Sequence, residues 1–382
     1  VLLAMSTALP VTVLGGPGFG DTTNPNFANG KMPTFYANSP QGVFPAGACF
    51  DDAGNPAAPL SGGSCDSGGN PNGLGLRKFV DPLPGLGASS ASATLGTYIP
   101  VAVADTATYA DADYYEIAVV EFTQRMHSDI FKPSLLRGYV QIDPATTDQV
   151  AGLDNRAAAI PESQKVALSN PDGSPVMIAR PDAASATGFR LVQAYGVEKP
   201  QYLGPAISAL RNRPVRLKFY NALPTGRAAN GQRFGDLFLP VDETLPGAGF
   251  GPDGKVKFTQ NRAAVHLHGG DTPWISDGTP HQWIAPAGEA LNPNGVAAEA
   301  AVKKVDPAGY LRGPSQANVP DMPDPGPGAA TYYFPNGQSA RLLWYHDHTL
   351  GLTRLNVYAG MAAPYILRDA EENALTAPGA PL

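Results

Sequence analysis

The chain has 382 residues, of which 43 are glycine and 39 are proline, and this share of turn formers favours an all-β or loop-rich fold over a helical one. A hydrophobic content of 43% excludes an intrinsically disordered chain. The net charge of −7, without any run of Lys or Arg, argues against a nucleic-acid partner.

The first segment, residues 1–76, is rich in Asn-Pro, Gly-Gly and Ser-Gly pairs and predicts an irregular N-terminal arm. Its apolar start is broken by polar residues and Pro10, so it is too short for a membrane helix and resembles the apolar part of a secretory signal. Cys49 and Cys65 have no neighbouring histidine, which favours a disulfide over two unpaired thiols. We therefore expect a secreted or periplasmic protein without a membrane partner.

Short apolar segments that predict β-strands follow the arm. The segments 114–122 and 215–220 are strand candidates, and apolar and polar residues alternate in the second, as in a half-buried strand. Further candidates are 263–268, 340–345 and 355–367. The pattern predicts an all-β Greek-key sandwich of about seven or more strands.

This sandwich is expected to occupy residues 77–370. Long loop insertions are predicted near residues 143–212, 225–258 and 285–330, where strand patterns are sparse. Residues 371–382 have the composition of a linker, so we expect a linker-like tail there.

Four of the six histidines form two His-x-His pairs, His266 with His268 and His346 with His348. Residues i and i+2 of a strand face the same side about 6.6 Å apart, so each pair directs two imidazoles into one space. Imidazole suits copper, zinc, iron and nickel, and a set made of histidine alone favours copper. A chance pair on a strand face is the alternative interpretation for either pair taken alone.

The flanking residues resemble the copper motifs of bacterial multicopper oxidases. HLHGG at 266–270, with SDG at 276–278, is similar to the first motif, and WYHDHT at 344–349 with TRLNVYAG at 353–360 is similar to the second. KFVDPLP at 78–84 resembles the start of the family's first cupredoxin domain. The resemblance therefore implies a cupredoxin-like sandwich with long loop insertions.

In that family a trinuclear cluster of one type 2 and two type 3 coppers reduces dioxygen to water. The resemblance implies that His266 binds type 2 copper and that His268, His346 and His348 bind the type 3 pair. It also implies that Asp277 lies near the type 2 copper and helps to deliver protons. Stabilisation of a tight turn before a glycine is the alternative role for Asp277.

The remaining copper motifs of the family, including the His-Cys-His of the type 1 site, do not occur in this sequence. The resemblance therefore implies that the chain is a subunit or fragment of such an oxidase, with the cluster shared with a second polypeptide that carries these motifs. That polypeptide is either a separate subunit or the other product of a cleaved precursor, and a fragment of a longer protein is the third alternative. The reducing substrate could be a phenol, a tetrapyrrole or a metal ion.

Other histidines and polar residues are expected outside the metal site. His127 and His281 lack ligand spacing, and Asp347, between two candidate ligands, is expected to face the opposite side and to pair with Arg354. Trp274, Trp283 and Trp344 are expected to pack around the site.

Two other functions stay open at this point. A copper-binding cupredoxin subunit without turnover would use the same four histidines. A cupin-type metal oxygenase would need a glutamate shortly after the first pair, where Asp271 and Thr272 stand instead.

Overall fold

The computed structural model describes residues 49–50, 56–57, 79, 81–128, 130, 132–143, 165–229, 231–251, 254, 257–291, 311–375 and 377. Most of the predicted arm and large parts of the insertions lie outside these residues. Cys65 and the side chain of Cys49 lie outside them too, so the disulfide between these cysteines stays a prediction. None of the helices in the described ranges is long and apolar enough to cross a membrane.

Strands dominate the described part of the chain. They are β1 (Cys49–Phe50), β2 (Pro56–Ala57), β3 (Asp113–Gln124), β4 (Ser134–Gln141), β5 (Val166–Ala167), β6 (Met177–Pro181), β7 (Phe189–Gln193), β8 (Tyr195–Gly196), β9 (Ile207–Leu210), β10 (Val215–Asn221), β11 (Val265–His268), β12 (Ala329–Phe334), β13 (Arg341–Asp347) and β14 (Ala362–Arg368). The α-helices are α1 (Ala287–Leu291), α2 (Thr353–Ala359) and α3 (Ala370–Leu375), and short 3-10 helices span Ala88–Ser90 and Trp274–Ser276. The all-β prediction is confirmed.

Two four-stranded sheets form the body of the fold, in the orders β12-β10-β3-β4 and β11-β13-β14-β9. Each contains one parallel pair, β3 with β10 and β9 with β14, whose members are joined by long crossing connections. One apolar core takes residues from both sheets, including Ile117, Phe219, Leu267, Tyr345 and Tyr365. The two sheets therefore pack face to face as a sandwich.

The outer face of the first sheet is covered by part of the first insertion, the antiparallel hairpin of β6 and β7. Arg180 of β6 binds the buried carboxylate of Glu116 at 2.8 Å, and the hydroxyl of Tyr220 donates to the same carboxylate at 2.8 Å. This pairing explains why β3 is buried on both faces although its sequence carries a charge.

The last predicted strand, 355–367, is wrong in its first half, where helix α2 lies. Leu352, Leu355 and Ala359 recur at helical spacing and pack in a small apolar cluster with Leu237 and Ala248. This burial outweighs the strand propensity of Val357 and Tyr358. Gly360, with φ of 121°, ends the helix before β14 begins.

Chain contacts separate a smaller unit, residues 1–83, 92–96 and 125–134, from the larger unit that holds the sandwich. Within the smaller unit, the Asp81 carboxylate accepts hydrogen bonds from the Thr94 hydroxyl at 2.7 Å and from the Ser128 amide at 2.8 Å. His127 lies 3.7 Å from the same carboxylate. Asp81 thus ties three separate segments of this unit together.

Candidate metal centre

Three of the four paired histidines lie on neighbouring strands of the second sheet, and His348 directly follows the end of β13. β11 and β13 are antiparallel, and their register places His266 opposite His346 and His268 opposite Trp344. Because side chains alternate along a strand, Leu267 and Tyr345 point into the apolar core and the histidines point to the outer face. The core-facing residues therefore fix the direction of the imidazoles.

The four imidazole rings form one cluster. The His266 ring centroid lies 5.7 Å from that of His268, 5.5 Å from that of His346 and 5.0 Å from that of His348. The His346 centroid lies 5.4 Å from that of His268 and 5.7 Å from that of His348. Nitrogens of His266, His268 and His346 all lie within 4.8 Å of one another. The structure thus brings together the histidines that the spacing singles out.

Backbone carbonyls hold two of these rings. Nδ1 of His266 lies 2.6 Å from the carbonyl oxygen of Asp277, and Nδ1 of His346 lies 2.7 Å from that of Asp347. A carbonyl oxygen only accepts, so Nδ1 carries the proton in both rings. In the neutral form, each Nε2 then has a free lone pair for a metal ion.

His346 is held in the neutral form. Its residue is 5% exposed, and burial lowers the pKa of His346 to about 4, with the neighbouring histidines acting in the same direction and the bond to the Asp347 carbonyl opposing it. At neutral pH this imidazole is therefore uncharged and able to bind a metal.

The donor set fits a metal ion. Nε2 of His346, which has no proton of its own, lies 3.2 Å from Nδ1 of His268. Nδ1 of His348 is buried without a hydrogen-bond partner among the described residues. A cation between these nitrogens would satisfy lone pairs that are otherwise close together or unpartnered.

A tight turn carries Asp277 to the edge of the cluster. Its side chain is 37% exposed, accepts a hydrogen bond from the Thr272 hydroxyl at 3.1 Å and lies 3.6 Å from Nδ1 of His266. Gly278 follows with φ of 67°, and a Cβ there would lie 1.7 Å from the carbonyl oxygen of Val265. Only glycine lets the turn approach the ligand strand this closely.

Comparisons with known proteins find relatives over part of this chain. No protein-family model matches the sequence. A laccase from Bacillus stratosphericus is 38% identical over 175 residues, which make up 46% of this chain and 25% of that protein. A multicopper oxidase from Oryza sativa subsp. japonica is 32% identical over 166 residues, or 44% of this chain and 20% of that protein.

Over these stretches the chain is similar to laccases and other multicopper oxidases. The matched stretch spans a quarter or less of the length of the two relatives named above. Among solved structures, the multi-copper oxidase of Pediococcus acidilactici is 14% identical, with a TM-score of 0.34 over 79% of this chain and 35% of that one.

Asp347 lies directly behind the cluster and is fully buried. Its carboxylate accepts from the Ala264 amide at 2.9 Å, the Thr349 amide at 3.1 Å, the Thr349 hydroxyl at 2.8 Å and the Asn356 side-chain amide at 3.0 Å. Arg354, its expected partner, is exposed on helix α2. The Arg354 prediction is wrong because Asn356, on the inner face of the same helix, takes that position.

Two buried arginines lie near this carboxylate. The Arg137 guanidinium bonds to Glu121 at 2.9 Å and to the carbonyl of Gln260 at 2.8 Å. Arg262 donates to the carbonyl of Thr259 at 2.7 Å and lies 5.1 Å from the centre of the Trp283 ring. Burial lowers the pKa of Arg262 to about 9, and the charge of Asp347 opposes that shift. No spacing pattern indicates these partners, because they come from distant segments of the chain.

The tryptophans divide between packing and exposure. Trp344 stacks on His346 with a centroid distance of 4.1 Å and an interplanar angle of 22°. Trp283 is buried, whereas Trp274 is 69% exposed, so the prediction that Trp274 packs around the site is wrong for this chain. The 3-10 turn that carries Trp274 buries Ser276 instead, whose hydroxyl accepts from the Tyr333 amide at 2.8 Å.

The remaining histidines are separate from the cluster. His127 lies beside Asp81 in the smaller unit, and His281 contributes its backbone carbonyl to a hydrogen bond from the Ser315 amide at 3.2 Å. Neither belongs to the group of ligand atoms found among the described residues.

Proposed function

We propose that the chain supplies half of the ligands of a trinuclear copper cluster. As part of a multicopper oxidase, it would couple one-electron oxidations of a substrate to the four-electron reduction of dioxygen to water. The observation that carries this proposal is the convergence of four imidazoles from two adjacent strands and the residue that follows the second, with Nδ1 of His266 and His346 already bonded to carbonyls.

In this proposal, His266 binds the type 2 copper, and His268, His346 and His348 bind the type 3 pair. The 3.2 Å separation of the His268 and His346 nitrogens supports a shared metal on that side of the cluster. His266 is held separately by the turn at Asp277, which supports a distinct role for its free nitrogen.

The rest of the cluster would come from a second polypeptide with the remaining copper motifs. His127 and His281 stand alone in the sequence, and neither Cys49 nor Cys65 has a histidine beside it. We therefore propose that the type 1 copper and the site of the reducing substrate lie on that partner. A secreted or periplasmic location belongs to the same proposal.

When bound, the copper cluster would pass electrons from the reducing substrate to dioxygen. The residues of this chain would orient the histidine ligands, hold the proton on Nδ1 and transfer protons to the site. The carbonyls of Asp277 and Asp347 keep Nδ1 of their histidines protonated, so Nε2 stays available. The Asp277 carboxylate is half-exposed beside His266, a position from which it can take a proton from water and pass it to the site.

Copper loading and oxygen uptake test the proposal. The purified chain is titrated with Cu(II) and followed by electron paramagnetic resonance, alone and with any polypeptide that copurifies from native material. We expect copper bound by nitrogen ligands in the chain alone, and oxygen uptake only with the partner. A His346→Ala variant should lose both properties, whereas the matched His281→Ala variant should keep them.

Two outcomes would contradict the proposal. Oxidase turnover by the chain alone would mean that no second set of ligands is required. Copper binding without turnover in every assembly would favour the copper-binding subunit.

A further inference from the structure

We infer that Asp347 is a positioning residue that clamps the two ligand segments of the metal centre at a fixed spacing. The inference rests on the proposed metal site. It concerns the four hydrogen bonds of the buried carboxylate and the backbone segments that they join.

The carboxylate joins both His-x-His segments. Ala264, whose amide it binds at 2.9 Å, lies two residues before His266, and Thr349, bound through its amide and its hydroxyl, directly follows His348. The His348 amide also donates to the carbonyl of Ala264 at 3.0 Å. One side chain thus fixes the start of the first ligand segment against the end of the second.

The backbone of Asp347 adds a further contact. Its carbonyl oxygen holds Nδ1 of His346 at 2.7 Å, so the residue orients one ligand ring directly and the segments of three others through its carboxylate. Asp347 faces the core side of β13 and does not point at the metal. It therefore acts through the ligands and is not itself one.

The chemistry of the four donors explains why this residue is an aspartate. All four contacts are N–H or O–H groups, and an ionised carboxylate offers enough lone pairs for all of them without a donor of its own. Asparagine has the same shape, but its NH₂ group would face two of these donors. Buried donors that lose their acceptor are strongly destabilising, so the clamp would open at one end.

Helix α2 supports the clamp from behind. Asn356 is fully buried, and its Nδ2 donates to Asp347 at 3.0 Å and to the carbonyl of Arg262 at 3.3 Å. The helix thereby connects the carboxylate to the segment that leads into β11. Helix α2, which lies in a segment predicted to be a strand, therefore supports the metal site.

The test compares Asp347→Asn with the matched Asp369→Asn variant. Asp369 is also buried and also accepts backbone amides, from Ala340 at 2.8 Å and from Glu372 at 2.8 Å, but at the opposite end of β13. Each purified full chain is titrated with Cu(II), and its nitrogen hyperfine pattern is recorded by electron paramagnetic resonance. Amide hydrogen exchange is measured on the copper-free proteins.

We expect Asp347→Asn to weaken Cu(II) affinity by about 10- to 100-fold, to alter the hyperfine pattern and to speed exchange at Ala264 and Thr349. Asp369→Asn should keep the wild-type affinity and pattern. Unchanged affinity, pattern and exchange in a folded Asp347→Asn chain would overturn the inference.

A second pair of variants decides the matter if Asp347→Asn does not fold. Thr349→Val removes only the hydroxyl donor, and Thr349→Ser retains it. We expect Thr349→Val to weaken Cu(II) affinity and Thr349→Ser to restore it, and equal affinities in both would overturn the clamp. If the wild-type chain binds no Cu(II) at its histidines, the proposed function fails, while the copper-free exchange data still judge the clamp.

Discussion

His266 and His346 lie directly opposite each other on antiparallel strands, with ring centroids 5.5 Å apart and ring planes at 80°. Their rings come from segments separated by a long stretch of sequence, yet both are held through Nδ1 by backbone carbonyls. A metal bound between them would cross-link two neighbouring strands of one sheet.

We expect copper bound at this site to stabilise the folded chain without being required for folding. At a free Cu(II) concentration of 100 Kd, binding to the native state alone should add about 2.7 kcal/mol to the free energy of unfolding. The His266→Ala chain should fold without copper but lose this gain, and His281→Ala should retain it. Denaturant titrations with and without Cu(II) measure the difference, and an equal gain in both variants would contradict a site at His266.

The turn after the first ligand strand should tolerate only glycine at position 278. Gly278→Ala places a Cβ 1.7 Å from the Val265 carbonyl oxygen in a residue with φ of 67°, so we expect destabilisation by more than about 1 kcal/mol. Gly337→Ala, where a Cβ meets nothing within 4 Å, is the matched control. Thermal unfolding of the two copper-free variants checks this, and similar melting temperatures would show that the turn can move away.

Helix α2 should depend on its apolar contacts. Leu352 is fully buried in the cluster with Leu237 and Ala248, so Leu352→Ala should lower the free energy of unfolding by about 2–5 kcal/mol. Leu342, on the outer face of β13, is 75% exposed, and its replacement by alanine should change stability by no more than about 0.5 kcal/mol. Urea unfolding measures both, and a small effect at Leu352 would mean that the helix is held chiefly by its polar contacts.

Acid should release the segments that Asp81 joins. Burial opposes ionisation, but hydrogen bonds from Ser128 and Thr94 and the charge of His127 prevail and lower the pKa of Asp81 from 3.8 to about 2. A carboxyl group with a lowered folded-state pKa stabilises the fold above pH 3.8, and this contribution is lost as the pH falls through about 2.

The stability difference between wild type and Asp81→Asn should therefore be constant near neutral pH and vanish toward pH 2. Denaturant titrations across this range, with an NMR titration of the Asp81 carboxyl, measure it. A carboxyl that titrates near its ordinary value would show that the three segments are not joined in solution.

Strands β3 and β10 could be predicted from the sequence because their segments are rich in apolar β-branched and aromatic residues, although the structure buries both of their faces and not only one. Residues 114–122 and 215–220 fall within β3 and β10, and the ligand strands were located within two residues at each end. Helix α2 was missed because it is short and contains Val357 and Tyr358, which also suit a strand.

The four histidines could be found from local spacing alone, whereas their support could not. Asp347 binds Ala264, and Arg137 reaches Gln260, across more than eighty residues of sequence. Such contacts depend on strand order and register, which the hydrophobic pattern of one segment does not contain. No local sequence pattern indicated that Asn356 contacts Asp347, and its segment was predicted to be a strand.

Because side chains alternate along β11 and β13, burial of their apolar residues in the core also specifies the strand register at the metal centre. A slip of one residue in either strand would turn Leu267 or Tyr345 toward solvent and push imidazoles into the apolar interior. The hydrophobic effect therefore disfavours a misregistered pairing of these strands even in the metal-free chain. Substitutions that loosen the core at these positions would degrade ligand geometry even though they touch no ligand.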